Sequence, residues 1–193
     1  MLAALAVSGI APYDRATWWM EVAPVLVAAP VLVATHRRFP LTGILYFLIC
    51  VHAMVLIMGG AYTYARVPLG YWLQEWLDLE RNPYDRIGHF MQGFVPALIA
   101  REILLRKSFL HSKAMTGFLS LCVALAFSAV YEMIEWGAAL ALGQGADEFL
   151  GTQGDPWDTQ ADMLLALLGA VSSLALLAPL QDQQIRALAE RRP

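Results

Sequence analysis

Hydrophobic residues in this chain come in long blocks separated by short polar joints. The blocks near 17–35, 41–62, 86–105, 114–142 and 159–180 are mostly apolar, and each approaches or exceeds the roughly 20 residues that a spanning helix needs. Met1–Ile10 is apolar too but stops at Ala11-Pro12, too short to span unaided, and predicts a re-entrant or partial helix. It lacks the basic start and small-residue cleavage site of a secretory signal. Pro24 and Pro30 are expected to kink the second helix without ending it, because neighbouring helices can satisfy the freed carbonyls. The pattern predicts an all-α, polytopic transmembrane bundle of about six helices with the first short, forming a single domain over residues 1–193.

Leu69–Leu79 reads differently. Tyr71, Trp72, Trp76 and Leu79 recur at helical spacing while Gln74, Glu75 and Asp78 face the other way, which predicts an interfacial amphipathic helix in the headgroup layer.

Composition agrees with the blocks. Hydrophobic residues make up 59% of the chain, charged residues 15%, and mean hydropathy is +0.54, against roughly half and a quarter in ordinary globular domains. The spans use nearly the whole length and leave no room for a separate soluble domain. A net charge of −3 and the absence of any nucleic-acid signature exclude a nucleic-acid partner. Cys50 and Cys122 both lie in apolar blocks and are expected as small core residues, since a disulfide framework or a cysteine metal site needs clustered cysteines.

Basic residues set the orientation. Arg37, Arg38, Arg101, Arg106, Lys107, Lys113, Arg186, Arg191 and Arg192 fall on one side if the helices alternate. Arg15, Arg66, Arg81 and Arg86 fall on the other, among many carboxylates. The basic side is expected to be cytoplasmic, with the C-terminus inside. Of the 16 acids, all but Glu102, Asp182 and Glu190 belong to the opposite half.

Three polar motifs share that acidic side. In Tyr84–Gln92, Asp85, His89 and Gln92 stand on one helical face. In Tyr131–Trp136, Glu132 and Glu135 share a face with Ser128. In Gly151–Asp162, Asp158 suits an N-cap or first turn, Asp162 lies one turn deeper, and Pro156 with the glycines fits a tight turn ahead of the helix. Carboxylates at membrane depth cost a few kcal/mol each and usually face a bundle interior or a wet cavity. The three motifs are therefore expected to converge. His89, Glu132, Glu135, Asp158 and Asp162 are the candidate metal ligands, His89, Glu132 and Glu135 the candidate catalytic groups, and Asp85, Arg86, Gln92 and Asp155 the rim.

Three readings of such a cluster stand side by side. Oxygen ligands with a histidine suit one divalent metal ion, which could polarise a phosphate or ester and serve a hydrolase or transferase acting on a lipid or glycan head group. Intramembrane carboxylates and histidine also serve proton or cation transport. A structural salt-bridge network is the third, with Arg86 and Arg66 neutralising the acids and Tyr84, Tyr131 and Gln160 completing the bonds. Outside the cluster, His52 is expected as a hydrogen-bonded core histidine, and His36 and His111 as headgroup contacts. Arg101-Glu102 is expected as an interfacial charge pair, and Gly59-Gly60 as a close helix approach or a helix stop.

These motifs carry a resemblance. Y-D-R-I-G-H-F-x-Q-G-F-x-P-A at Tyr84–Ala97, Y-E-x-x-E-W at Tyr131–Trp136 and G-T-Q-G-D-x-W-D-T-Q-x-D-M at Gly151–Met163 resemble the YjdF-type bacterial inner-membrane proteins, as does S-G-I-A-P-Y-D-R at Ser8–Arg15. The resemblance covers nearly the whole chain and implies a multi-pass protein of a bacterial inner membrane; it implies no chemistry. A weaker likeness is to the VanZ-like membrane proteins, through Asp85 with Arg86, His89-Phe90, Glu132 with Glu135, and Asp162 followed by Gly169-Ala170. Arg86 stands where that pattern has Lys, Glu135 where it has Gln and Ala166 where it has Asn, and the more acidic set leans toward a cation.

Overall fold

The computed structural model describes residues 1–110, 112–142 and 152–190, and every regular element among them is helical. In chain order these are α1 (Leu2–Ser8), α2 (Arg15–His36), α3 (Gly43–Tyr62), a 3-10 turn at Tyr64–Arg66, α4 (Pro68–Trp76), α5 (Tyr84–Arg106), α6 (Lys113–Leu142) and α7 (Asp158–Glu190). His111, Gly151, Arg191 and Arg192, to which the sequence assigned roles, lie outside the described residues.

Four of these helices, α2, α3, α6 and α7, are long and apolar enough to cross a membrane. α5 has similar length, about 34 Å at 1.5 Å per residue, but is too polar to qualify alone. It packs on α3, α6 and α7, which shield its charges from lipid. At seven residues α1 is about 10 Å long, a third of the hydrocarbon thickness. It does not cross. It rests at the end where α2 begins, held by the Trp18 indole N–H donating to Ser8 Oγ at 2.9 Å and by Arg15 donating to the Gly9 carbonyl.

Local sequence explains each boundary. The Asp14 carboxylate caps α2 by accepting from the Thr17 N–H at 2.7 Å, and α2 then runs unbroken through Pro24 and Pro30. α4 ends at Trp76, two residues before Asp78 takes a left-handed φ of 51°. Its Trp72 and Trp76 are exposed, as an interfacial helix requires. Gly59 does not stop α3 but leaves room for the Tyr64 ring, which a Cβ would meet at 2.5 Å.

α7 extends ten residues beyond the expected end at Leu180. Gln181-Asp182-Gln183-Gln184 reads as aqueous sequence, yet Gln181 is fully buried, donating to the Leu98 carbonyl and accepting from Arg101 Nη1, both at 2.9 Å. Gln184 accepts from the Ile44 N–H at 3.0 Å. The Arg101-Glu102 pair is likewise not a local one. Arg101 reaches Asp182 on α7 at 2.6 Å. Glu102, with no exposed surface, accepts from the Thr42 N–H and hydroxyl at 3.0 and 2.7 Å and from Arg106 at 2.6 Å.

α5 and α7 run parallel, since Arg86 meets Asp162 near their starts and Arg101 meets Asp182 near their ends. Between these ion pairs the two backbones touch. A Cβ on Gly93 would lie 1.7 Å from the Ala166 carbonyl oxygen, and one on Gly169 would lie 2.1 Å from that of Phe90. Ala97, Ala124 and Ala170 continue the close packing, and Leu45, Leu48, Val95 and Leu98 join α3 to it. The two cysteines depart from expectation: Cys50 and Cys122 are free thiols on the outer surface of the bundle, where apolar character suits lipid.

Candidate functional site

The parallel contact of α5 and α7 sets the site. One turn before Gly93 stands His89, and one turn before Ala166 stands Asp162, so the tightest point of the crossing places these two side chains opposite each other. α6 adds Glu132 and Glu135, α2 adds Glu21, and the turn ahead of α7 adds Asp155. That turn uses left-handed backbone at Gln153 (φ 47°) and Gly154 (φ 87°), and the Asp155 carboxylate accepts from the Trp157 N–H at 2.9 Å.

The cluster has two halves with different chemistry. In the first, guanidinium groups meet aspartates. Arg86 lies 2.9 Å from Asp155, 2.9 Å from Asp158 and 2.6 Å from Asp162, and Arg81 lies 2.7 Å from Asp158. Arg81 also donates to the Thr152 carbonyl at 2.9 Å, which ties the turn to α5. Asp158, expected as a metal ligand, is the shared partner of both arginines.

The second half centres on His89. Its Nδ1 lies 2.9 Å from Gln92 Oε1, an acceptor, which fits a hydrogen on Nδ1 and, when the ring is neutral, a lone pair on Nε2. That Nε2 faces Asp85 Oδ1 at 3.4 Å and Asp162 Oδ2 at 3.7 Å, both longer than a charge-assisted hydrogen bond. Donor atoms of Asp85, His89 and Asp162 all lie within 4.8 Å of one another, and all three residues are buried. Asp85, expected at the rim, is only 5% exposed, and its Oδ2 has no hydrogen bond but lies 3.6 Å from Arg81 Nη2. Glu132 Oε1 stands 3.7 Å from His89 Nδ1 and is another buried oxygen without a hydrogen bond. Glu135 is buried beside them, and among the described residues neither glutamate has an arginine or lysine partner. Ser128, one turn below Glu132, is fully buried with its hydroxyl unpaired.

Four further residues belong here that the sequence pattern left out or gave only supporting roles. Glu21 on α2 is 2% exposed and accepts from the Tyr131 hydroxyl at 2.9 Å. As a lone acid in an apolar block it carried a readable signal. Arg81 read only as a loop base. Tyr131 packs edge-on to the His89 ring, centroids 6.3 Å apart. His52 is not hydrogen-bonded at Nε2 as expected; it faces a cavity.

That cavity, about 670 Å³, lies between α2, α3, α5 and α6. Glu21, Tyr64, Asp85, His89, Gln92 and Glu135 line one end of it, and the rest is mostly hydrocarbon. Tyr64, in the turn after α3, is held neutral, since burial and then the Glu21 charge push its phenol well above its ordinary pKa.

The comparisons with known proteins agree with this architecture. The chain is 59% identical over 179 residues to the protein titled inner membrane protein YjdF of Escherichia coli strain K12, across 93% of this chain and 86% of that one. No solved structure matches. The family described as "Predicted membrane protein (DUF2238)" matches residues 1–183. The chain therefore belongs to the DUF2238 family of predicted membrane proteins.

Proposed function

We propose that the protein is a multi-pass bacterial inner-membrane protein that binds one divalent cation through Asp85, His89 and Asp162 and acts there on the head group of an envelope lipid. The observation that carries the reading is the convergence of His89 Nε2 with two carboxylate oxygens, 3.4 and 3.7 Å from it. A ring nitrogen and two carboxylate oxygens buried around one point call for positive charge there, which a divalent cation supplies and, in its absence, a proton on His89 supplies in part. Two ligands about 2.1 Å from a zinc-type ion at tetrahedral angles stand about 3.4 Å apart, close to the separations found. A mixed nitrogen and oxygen set suits Zn²⁺ or Mn²⁺ better than Ca²⁺.

The surroundings support it. Gln92 fixes the His89 tautomer, and Arg86 holds Asp162 by Oδ1, leaving Oδ2 for the ion, which is the usual work of groups behind the ligands. Glu132 and Glu135 are then free to hold or move a proton beside the ion. With Lys and Arg concentrated at the far end, the cluster opens to the periplasmic side and the C-terminus is cytoplasmic. A transport reading has less support, because beyond Gln92 the cavity wall on α5 is Pro96, Ile99, Ala100 and Ile103, with no polar relay.

Elemental analysis of the purified protein tests the reading. One transition metal per chain is expected, lost in His89→Ala and Asp162→Ala and kept in Glu190→Ala. A folded wild-type protein that holds no metal after dialysis against Zn²⁺ and Mn²⁺ overturns it.

A further inference from the structure

The cavity deepens that reading, on which it rests, by indicating the class of lipid. Its α5 wall runs from Asp85 to Ile103, about 27 Å at helical rise, nearly the hydrocarbon thickness of a bilayer. Its volume of about 670 Å³ lies in the range of ligand sites, and its shape is long and apolar with polar groups at one end only.

The cavity also opens sideways. α2 packs on α3, and α6 packs on α5 and α7, whereas α2 and α6 meet through the Tyr131–Glu21 hydrogen bond rather than along their lengths. The lips of the gap are Val27 and Val31 on α2 and Phe127 and Val130 on α6. Val27 is 65% exposed and Phe127 60%, so the opening faces lipid.

The polar end selects the head group. Its lining has three carboxylates, Glu21, Asp85 and Glu135, and no lysine or arginine; Asp85 is paired with Arg81 at 3.6 Å, whereas Glu21 and Glu135 have no arginine or lysine partner among the described residues. The cavity-facing His52 Nε2 lacks a hydrogen-bond partner. An anionic phosphate at this end would meet Glu21 and Glu135, which no arginine or lysine offsets. An ammonium group would meet acceptors on several sides.

We infer that this cavity takes a single-chain amphiphile with an amine head from the membrane, its hydrocarbon lying between α2 and α6 and its ammonium group reaching Glu21 and Glu135.

Photolabelling tests this in protein stripped with EDTA and held in phosphatidylcholine nanodiscs. The probes are diazirine-bearing hexadecylamine, hexadecanol and hexadecyl phosphate, mapped by peptide mass spectrometry. The amine probe should label residues 27–32 and 123–130 saturably, about tenfold more strongly than the phosphate probe, as expected for one additional charge-assisted hydrogen bond. Glu21→Gln with Glu135→Gln should bring the amine down to the level of the alcohol. Ala28→Trp, which fills the cavity, should abolish labelling; should it not fold, Val31→Trp at the lip and competition by untagged hexadecylamine serve the same purpose. Labelling spread evenly onto lipid-facing residues such as Leu168 and Leu176, or phosphate labelling equal to amine, overturns the inference. The stripped protein carries no ion, so failure of the metal site leaves this result readable.

Discussion

Gly93 of α5 lies so close to Ala166 of α7 that a Cβ on Gly93 would stand 1.7 Å from the Ala166 carbonyl oxygen. No rotamer relieves such a clash, because both partners are backbone. Gly93→Ala must therefore push the helices apart, at about 1–3 kcal/mol or more. A lower thermal midpoint and a loss of bound metal are expected together, since His89 and Asp162 sit one turn beyond the contact. A Gly93→Ala protein with unchanged melting and metal content would show that the contact does not set the site.

Glu102 tests the opposite end. It is fully buried and accepts from Thr42, Arg106 and Gln181. Glu102→Ala leaves Arg106 with the Pro40 carbonyl and the Phe39 ring but no carboxylate, and should cost about 3–5 kcal/mol. Metal bound per folded chain should stay at the wild-type value. Loss of metal in a protein that still melts cooperatively would mean the two ends are coupled.

Arg86 separates structural from functional charge. Arg86→Met removes the guanidinium from Asp155, Asp158 and Asp162 together, and Asp162 is only 2% exposed. A loss of about 3–5 kcal/mol is expected from the uncompensated charge. Adding Asp162→Asn should restore much of that stability but not the metal. Restoration of both by the double variant would remove Asp162 from the ligand set.

The acid limb of stability has one assignable part outside the spans. The Thr17 N–H bonded to the Asp14 carboxylate, with smaller help from the neighbouring amides, holds its pKa below the ordinary 3.8. The folded pKa is depressed, so the cap contributes fully above 3.8 and is lost as pH falls through the folded value. The difference in melting midpoint between wild type and Asp14→Asn should shrink from about pH 5 to about pH 3. A constant difference would show that the carboxylate charge adds nothing to the cap.

The spans and most of their boundaries, the end of α7 apart, were legible because hydropathy over some 20 residues is a local property, and the amphipathic pattern of α4 is as well. The convergence of Asp85, His89 and Asp162 was legible only in part. Each motif showed which face its acids share, but the partner of each acid depends on how helices sit around the bundle. That depends on Gly93 and Gly169, whose role appears only once Ala166 and Phe90 are seen against them. The same reason hid Arg81, and it made Gln181 and Gln184 read as water-facing when they bind helices 80 to 140 residues away in sequence. Glu21 is the exception, a readable acid lost among its apolar neighbours.

The α5–α7 pair is tied at both ends and in contact midway, and α3 is fastened to it by Thr42 and Ile44. Three helices thus form a frame with almost no freedom to hinge. α2 is joined across the gap by the Tyr131 hydroxyl on Glu21. The weakest seam of the bundle is therefore the one between α2 and α6, closed among the described residues by the Tyr131–Glu21 hydrogen bond.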